Sequence, residues 1–465
     1  MSGKDHSLPD PILTDSDISR DEEKLASDQS QPEEPEILLS EFNLRSILVL
    51  IGSFLALFCS VGFVNAFGIF QEYYSSHILA HKSASDISWL GSFNVFCMFG
   101  TTIIVGYLND KHGPRILLAS GSLTIVFALF MTSLCKDYYQ FFLAQGLLLG
   151  LGLAFVFLPS IAVIPQYFTH HRGLAMGIVV SGSSMGGVIW PIALQNFFDS
   201  VGFGWGVRIS AFMMVPLLGF AILTVRVPMP IAPPSSTPIN ANISISKQPK
   251  PKPDIYIIKN PILLLLAAGL FLVYLGLFSP FFYITSWTIS LGLDANMGFY
   301  MVSIINAASL FGRILPGLWA DRIGAYNIMV VSAGLSGVVC MCWTEATSIG
   351  GIVVLSLAYG FVSGAVIGLQ GACASQIAKP HQYGVVMGFT MSVISIALVA
   401  PCLNDLAKPI NKYRSGLIGS PINGQLLSKW QYLGLSLFSG SAMLLGMLVL
   451  ILAKLRVNPV FFGKA

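Results

Sequence analysis

Gly106-Tyr-Leu-Asn-Asp110-Lys111-His-Gly113-Pro-Arg115 follows one long apolar run, and Gly317-Leu-Trp-Ala-Asp321-Arg322-Ile-Gly324 follows another. Each is a charged turn set between two segments that read as membrane-spanning. Its recurrence about two hundred residues apart points to two related halves that move against each other, a transporter architecture. The acids Asp110 and Asp321 fall at the ends of the second and eighth apolar runs, where a carboxylate can meet a helix N-terminus or a basic residue on the next turn. Gly106, Gly113, Gly317 and Gly324 permit tight turns. Lys111, Arg115 and Arg322 complete the motifs. These residues are the candidates for conformational gating. The bland alternative is a solvated turn obeying the charge rule for loops.

Composition agrees with that reading. The chain is 54% hydrophobic and 10% charged, with mean hydropathy +0.74; a soluble domain carries about 25% charged residues. Of 22 Asp and Glu, 12 lie in residues 1–45, leaving 10 for the rest. The net charge of +3 therefore averages an acidic tail and a mildly basic body, and implies no nucleic-acid partner. Residues 1–45 hold too little apolar surface to offset ordering entropy and read as a disordered tail. The tail has neither a secretory signal pattern nor the basic character of a transit peptide, so the first span serves as the insertion signal.

A span needs about 20 predominantly apolar residues. Twelve are found, near 47–70, 87–108, 116–135, 139–164, 173–197 and 207–227, then 261–287, 297–319, 326–344, 350–376, 384–403 and 431–454. The expected fold is an all-α membrane protein of twelve transmembrane helices in two six-helix halves, 46–227 and 260–455. Residues 228–259, rich in Pro and Ser with Lys247, Lys250 and Lys252, read as a flexible basic linker. Residues 456–465 form a short tail. Lys and Arg cluster in alternate loops: Lys111, Arg115, Arg172, Arg226, Lys259, Arg322 and Lys379 join the linker and C-terminal tail on one side. This places both termini in the cytoplasm. Lys408, Lys412 and Arg414 break the pattern.

The seven cysteines fall mostly inside apolar runs, with no disulfide or zinc spacing. His170-His171 has no third ligand near in sequence, so neither metal nor cofactor is expected. No phosphate-binding loop of an ATPase occurs. Transport would then run on an ion gradient or on the substrate's own gradient. No surface cluster of His, Asp and Ser suggests an enzyme.

Further strings narrow the class. Gly68-Ile-Phe-Gln71-Glu72-Tyr73-Tyr74 ends span one, and Arg172-Gly173-Leu-Ala-Met-Gly177 opens span five. Pro280-Phe-Phe-Tyr283 lies in span seven, and Asn306-Ala-Ala-Ser-Leu-Phe-Gly312-Arg313 in span eight. With the central linker and the duplicated turn, the chain resembles the major facilitator superfamily over roughly residues 45–455. More narrowly, it resembles the fungal branch of the monocarboxylate transporter (monocarboxylate porter) family. The resemblance implies the major facilitator fold, a plasma-membrane location with an internal membrane as the alternative, a small organic anion as substrate, and protons as a candidate coupling ion. It also implies that Arg313 contacts the anion. The rival reading of Arg313 is a side chain snorkelling toward Asp321.

Two departures weaken the proton switch. Asn65 stands where proton-coupled animal members place a lysine, and Ser309 where they place an aspartate one turn before the arginine. The opening of span one is degraded to Glu41-Phe-Asn-Leu-Arg45. A larger or less acidic substrate fits these changes. Phe281, Phe282, Tyr283 and Trp287 could line a cavity for a ring-bearing ligand, or face lipid. Asn65, Asn306 and Gln370 are the uncharged polar candidates; Gln145 and Gln370 could equally bond between helices. The series Gly146/Gly150, Gly182/Gly186 and Gly360/Gly364/Gly368 reads as close helix packing. In span eleven, Ser395-Ile396-Ala397 continues in family fashion only at Gly416-Leu-Ile-Gly419, so residues 398–415 read as an insertion, such as a retained intron, or as a long external loop. The substrate is expected to be a small organic acid or carboxylated metabolite. Export of a secondary metabolite, uptake of a nutrient monocarboxylate and ligand sensing without transport remain the alternatives.

Overall fold

The structure is a computed structural model describing residues 41–228, 255–403 and 421–458. Most of the acidic tail, most of the linker and residues 404–415 of the suspected insertion lie outside the described residues, as do residues 459–465.

Eleven helical runs are long and apolar enough to cross a bilayer. One of them, Arg172–Thr224, has 53 residues. At 1.5 Å per residue it would measure about 80 Å, against a hydrocarbon core of about 30 Å. It turns back at Gly202, whose φ of 77° is open to a residue without a Cβ. The result is twelve crossings. In chain order they are α1 (Leu44–Ile78), α2 (Asp86–His112), α3 (Pro114–Thr132), α4 (Tyr138–Gln166), α5 (172–201) and α6 (203–224). The second set is α7 (Pro261–Ser290), α8 (Ala295–Ile323), α9 (Ala325–Met341), α10 (Ile349–Ile377), α11 (Tyr383–Leu403) and α12 (Pro421–Val457). We call α1–α6 the N half and α7–α12 the C half. The described residues contain no strand.

Local sequence explains the ends. Asn43 caps α1 by accepting from Ser46 N, and Asn260 caps α7 by accepting from Ile262 N, with Pro261 at the first helical position. Gly113 and Gly324, with φ of 85° and 110°, make the turns from α2 to α3 and from α8 to α9. The duplicated motif therefore ends each time on a glycine in a conformation that side chains resist.

The first helix of each half is broken. In α1 the break runs from Ser60 to Ala66 and includes Asn65. In α7 it falls at Phe278, just before Ser279-Pro280. Pro280 has no N–H to donate and its ring crowds the preceding turn, which accounts for that break.

Leu123 is 73% exposed and Val354 66%, and such side chains on many helices form an outer surface that only lipid can solvate. Between helices, backbones approach closely where glycine removes the side chain. Gly182 and Gly186 of α5 lie against α1, and Gly360, Gly364 and Gly368 of α10 lie against α8. Such small-residue seams replace the hydrophobic effect as the source of helix association in lipid. Across the halves, α5 packs on α8 and α2 packs on α11.

Candidate functional site: two cross-half seams and the cavity between them

The two duplicated acids reach across to the other half. The Asp110 carboxylate accepts from the Gly384 and Val385 N–H groups, both at 2.9 Å. The Asp321 carboxylate accepts from Gly173 N at 2.6 Å and Leu174 N at 3.0 Å. Both sets of donors lie in the first turn of a helix, α11 and α5. Those N–H groups have no partner within their own helix, and the positive end of the helix dipole favours a carboxylate there by about 0.3–1 kcal/mol. Each contact in one seam matches a contact in the other by the same shift of 211 positions in sequence.

Glycine makes the approach feasible. A Cβ at Gly106 would collide with the Gly384 backbone, and one at Gly317 with the Gly173 backbone. Lys111, Arg115 and Arg322 are exposed at the same end of the bundle. The structure therefore joins six of the motif residues into two seams or their turns (Gly106, Asp110, Gly113, Gly317, Asp321 and Gly324) and leaves the three cations facing outward.

The partner sites on α5 and α11 escaped the sequence reading, because the donors are backbone groups. A signal was available. Gly173-Leu-Ala-Met176-Gly177 and Gly384-Val-Val-Met387-Gly388 are themselves a duplicated pattern.

Beyond these seams, between the halves, is a narrow cavity of about 60 Å³. A ring-bearing ligand would have to displace side chains or part the halves. Asn65, Asn306, Arg313 and Gln370 all line it, joined by Ser183 and Tyr274. Its apolar wall includes Phe99, Phe157, Phe278 and Phe281. The other three aromatic candidates sit elsewhere. Trp287 packs against a separate buried cluster, and its Nε1 donates to the Ala346 carbonyl at 3.2 Å. Tyr283 is fully buried in a separate cluster with Trp343 and Leu435. Phe282 is 44% exposed and stacks on Phe278. Only one of three consecutive aromatics, Phe281, points into the cavity, since successive helical residues point about 100° apart.

Arg313 is 4% exposed. Its Nη1 donates to the Val180 carbonyl at 2.8 Å and to the Ser183 hydroxyl. Its Nε is buried and has no hydrogen-bond partner. Among the described residues no carboxylate lines the cavity, so Arg313 does not snorkel to Asp321. Around it are amides from both halves. Asn65 Nδ2 donates to the Ser183 carbonyl at 3.4 Å, and Asn65 and Asn306 both come within about 3 Å of the space that a Cβ at Gly187 would fill. Gln370 accepts from Tyr274 Oη at 2.8 Å, so it bonds between helices and lines the cavity at once. Gln145, by contrast, accepts from Tyr74 Oη at 2.6 Å outside the cavity.

The family model of the Major Facilitator Superfamily matches residues 48–401. The chain belongs to that superfamily. Its superfamily relatives include the agnestins efflux protein AgnL12 of Paecilomyces divaricatus, 56% identical over 92% of this chain and 91% of the relative. The aspyridones efflux protein apdF of Emericella nidulans is 37% identical over 86% of this chain and 76% of the relative. Among solved structures, the human organic anion transporter MFSD10 (TETRAN) aligns with TM-score 0.62 over 87% of this chain and 98% of that one. At 15% identity that likeness shows the fold. As a superfamily member with such relatives, the chain is a multi-pass membrane transporter and not an enzyme. The relatives carry the names of efflux proteins, and the comparisons extend to the superfamily without singling out the monocarboxylate porter branch.

Proposed function

We propose that the chain exports an organic anion, a carboxylated metabolite with an aromatic body, by alternating access. The observation that carries this is Arg313: a guanidinium buried at the level of the cavity with a free Nε and, among the described residues, no carboxylate lining that cavity. A charge within the membrane costs at least a few kcal/mol. A bound anion supplies the missing counter-charge. Asn65, Asn306 and Gln370 offer amides to its polar groups, and Phe99, Phe157, Phe278 and Phe281 suit a flat ring system. The efflux names of the relatives favour export over nutrient uptake.

In this reading the two acid-to-helix contacts are the gates of one face. The loop charges make that face cytoplasmic and put both termini there, with the plasma membrane as the location. Gly106 and Gly317 let the gates close, Asp110 and Asp321 hold them, and Lys111, Arg115 and Arg322 face the cytoplasmic headgroups. The structure then represents a carrier closed to the cytoplasm. Placement in the monocarboxylate porter branch rests on the sequence strings alone. With Ser309 in place of the acid, a coupling proton has no carboxylate to occupy in the cavity among the described residues. We read the substrate gradient as the driving force.

The test compares metabolites inside and outside producing cells with and without the chain. An aromatic acid accumulating inside deficient cells is the expected result. A compound left unused in the medium would instead make the chain an importer. Full export by an Arg313→Gln variant would overturn the anion contact.

A further inference from the structure

We propose that Ser183 is a positioning residue that holds the Arg313 guanidinium on α5, and that the substrate's anionic group must take the guanidinium from it. The second clause rests on the anion reading of Arg313; the first stands on geometry alone.

Arg313 belongs to the C half and its acceptors belong to the N half. Ser183 Oγ donates to the Val180 carbonyl at 3.0 Å, which turns its lone pairs toward Arg313 Nη1. The same Val180 carbonyl accepts from Nη1 at 2.8 Å. The Ser183 carbonyl in turn accepts from Asn65 Nδ2. One residue of α5 thus ties together α1, α5 and α8 at the level of the cavity. Both acceptors of the guanidinium are neutral. A carboxylate accepting from the same N–H groups makes bonds roughly twice as strong as neutral ones, and it also reaches the unpartnered Nε. An anion in the cavity therefore competes with α5 for one cation. When it wins, α8 is released from α5 above the Asp321 contact.

The opposite seam has no such vulnerability. There Thr102 Oγ1 donates to the Gly388 carbonyl at 2.9 Å and lies 3.1 Å from Ser392 Oγ. This tie is neutral, and Thr102 is not among the residues lining the cavity. The α2–α11 seam lines the cavity with apolar Phe99, Met391 and Ile394, so only the α5–α8 seam offers the ligand a cation. Rigid halves would carry its release to the α2–α11 seam.

Hydrogen–deuterium exchange on the full-length chain in lipid nanodiscs, with no ligand added, tests this. The decisive readout is the peptide spanning Gly384–Gly388, on the seam that Ser183 does not touch. Ser183→Ala and Arg313→Gln are both expected to speed its exchange roughly tenfold, as losing a charged hydrogen bond shifts the opening equilibrium. Ser184→Ala removes a buried hydroxyl that has no partner one residue away and is expected to leave exchange unchanged. Wild-type exchange at Gly384–Gly388 in Ser183→Ala, changes confined to α5 and α8, or an equal effect from Ser184→Ala would each overturn the clasp. Because no cargo is used, the two readings fail separately. Export persisting in Arg313→Gln removes the anion contact and leaves the clasp; unchanged exchange removes the clasp and leaves the contact.

Discussion

The α2–α11 and α5–α8 seams are copies of one device that differ in chemistry where Thr102 of one matches Arg313 of the other. In both, an aspartate accepts two N–H groups from the first turn of a helix in the other half. In both, a glycine on each helix lets the backbones touch. At the next matching position the copies part. The Gly388 backbone lies against Thr102, and the Gly177 backbone lies against Arg313. Threonine closes its seam with neutral hydrogen bonds, while arginine closes its own with a cation held by neutral acceptors among the described residues. In the function proposed above, the duplicated parts hold and release the halves, and the unmatched part confers a preference for charge. Function in a two-fold scaffold sits where the symmetry is broken.

The comparison can be broken most severely at the glycines. Gly106→Leu and Gly317→Leu are each expected to abolish export, because either side chain wedges its seam open against backbone that cannot move aside. Hydrogen exchange at Gly384 and at Gly173 should rise in both variants. Export surviving in one variant would show that one seam suffices.

Arg313→Gln and Thr102→Val probe the unmatched position. The arginine change is expected to lower export roughly 100-fold, in line with a few kcal/mol for a buried charged contact. The threonine change removes only neutral hydrogen bonds, about 1 kcal/mol each, and should cost several-fold. Metabolite efflux from producing cells measures both. Equal losses would mean that position 313 is another structural tie.

The acids probe the shared position. Asp110→Asn and Asp321→Asn keep one of two acceptor oxygens, turn an NH2 toward the second backbone N–H and lose the charge at the helix N-terminus, a loss of about 1 kcal/mol or somewhat more each. Export should fall a few-fold in each single variant. The double variant should fall by the product of the two, since the contacts lie in separate seams. A single variant as severe as the double would show that one of the two contacts alone holds the closed face.

Composition and period alone determined that this chain lives in lipid and crosses it twelve times, because a backbone without water must satisfy its own hydrogen bonds as helices of about 20 apolar residues. The duplicated turn in the sequence announced the two halves, and the positive φ of Gly113 and Gly324 is what those glycines are for. Arg313, Asn65, Asn306 and Gln370 could be picked out because a polar residue within a span must find a cavity or a partner. Tertiary structure alone decided the rest. Nothing in Asp110 names Gly384 as its partner, since the donors are backbone N–H groups that every residue but proline carries. Ser183 reads as one more small residue in a glycine-rich helix until α8 brings a guanidinium against it. Phe281, Phe282 and Tyr283 are consecutive aromatics of similar character, and only the break before Pro280, together with the packing of α7, selects Phe281 for the cavity. Local chemistry sets what each residue can do, whereas the meeting of two halves sets which residues it is done with.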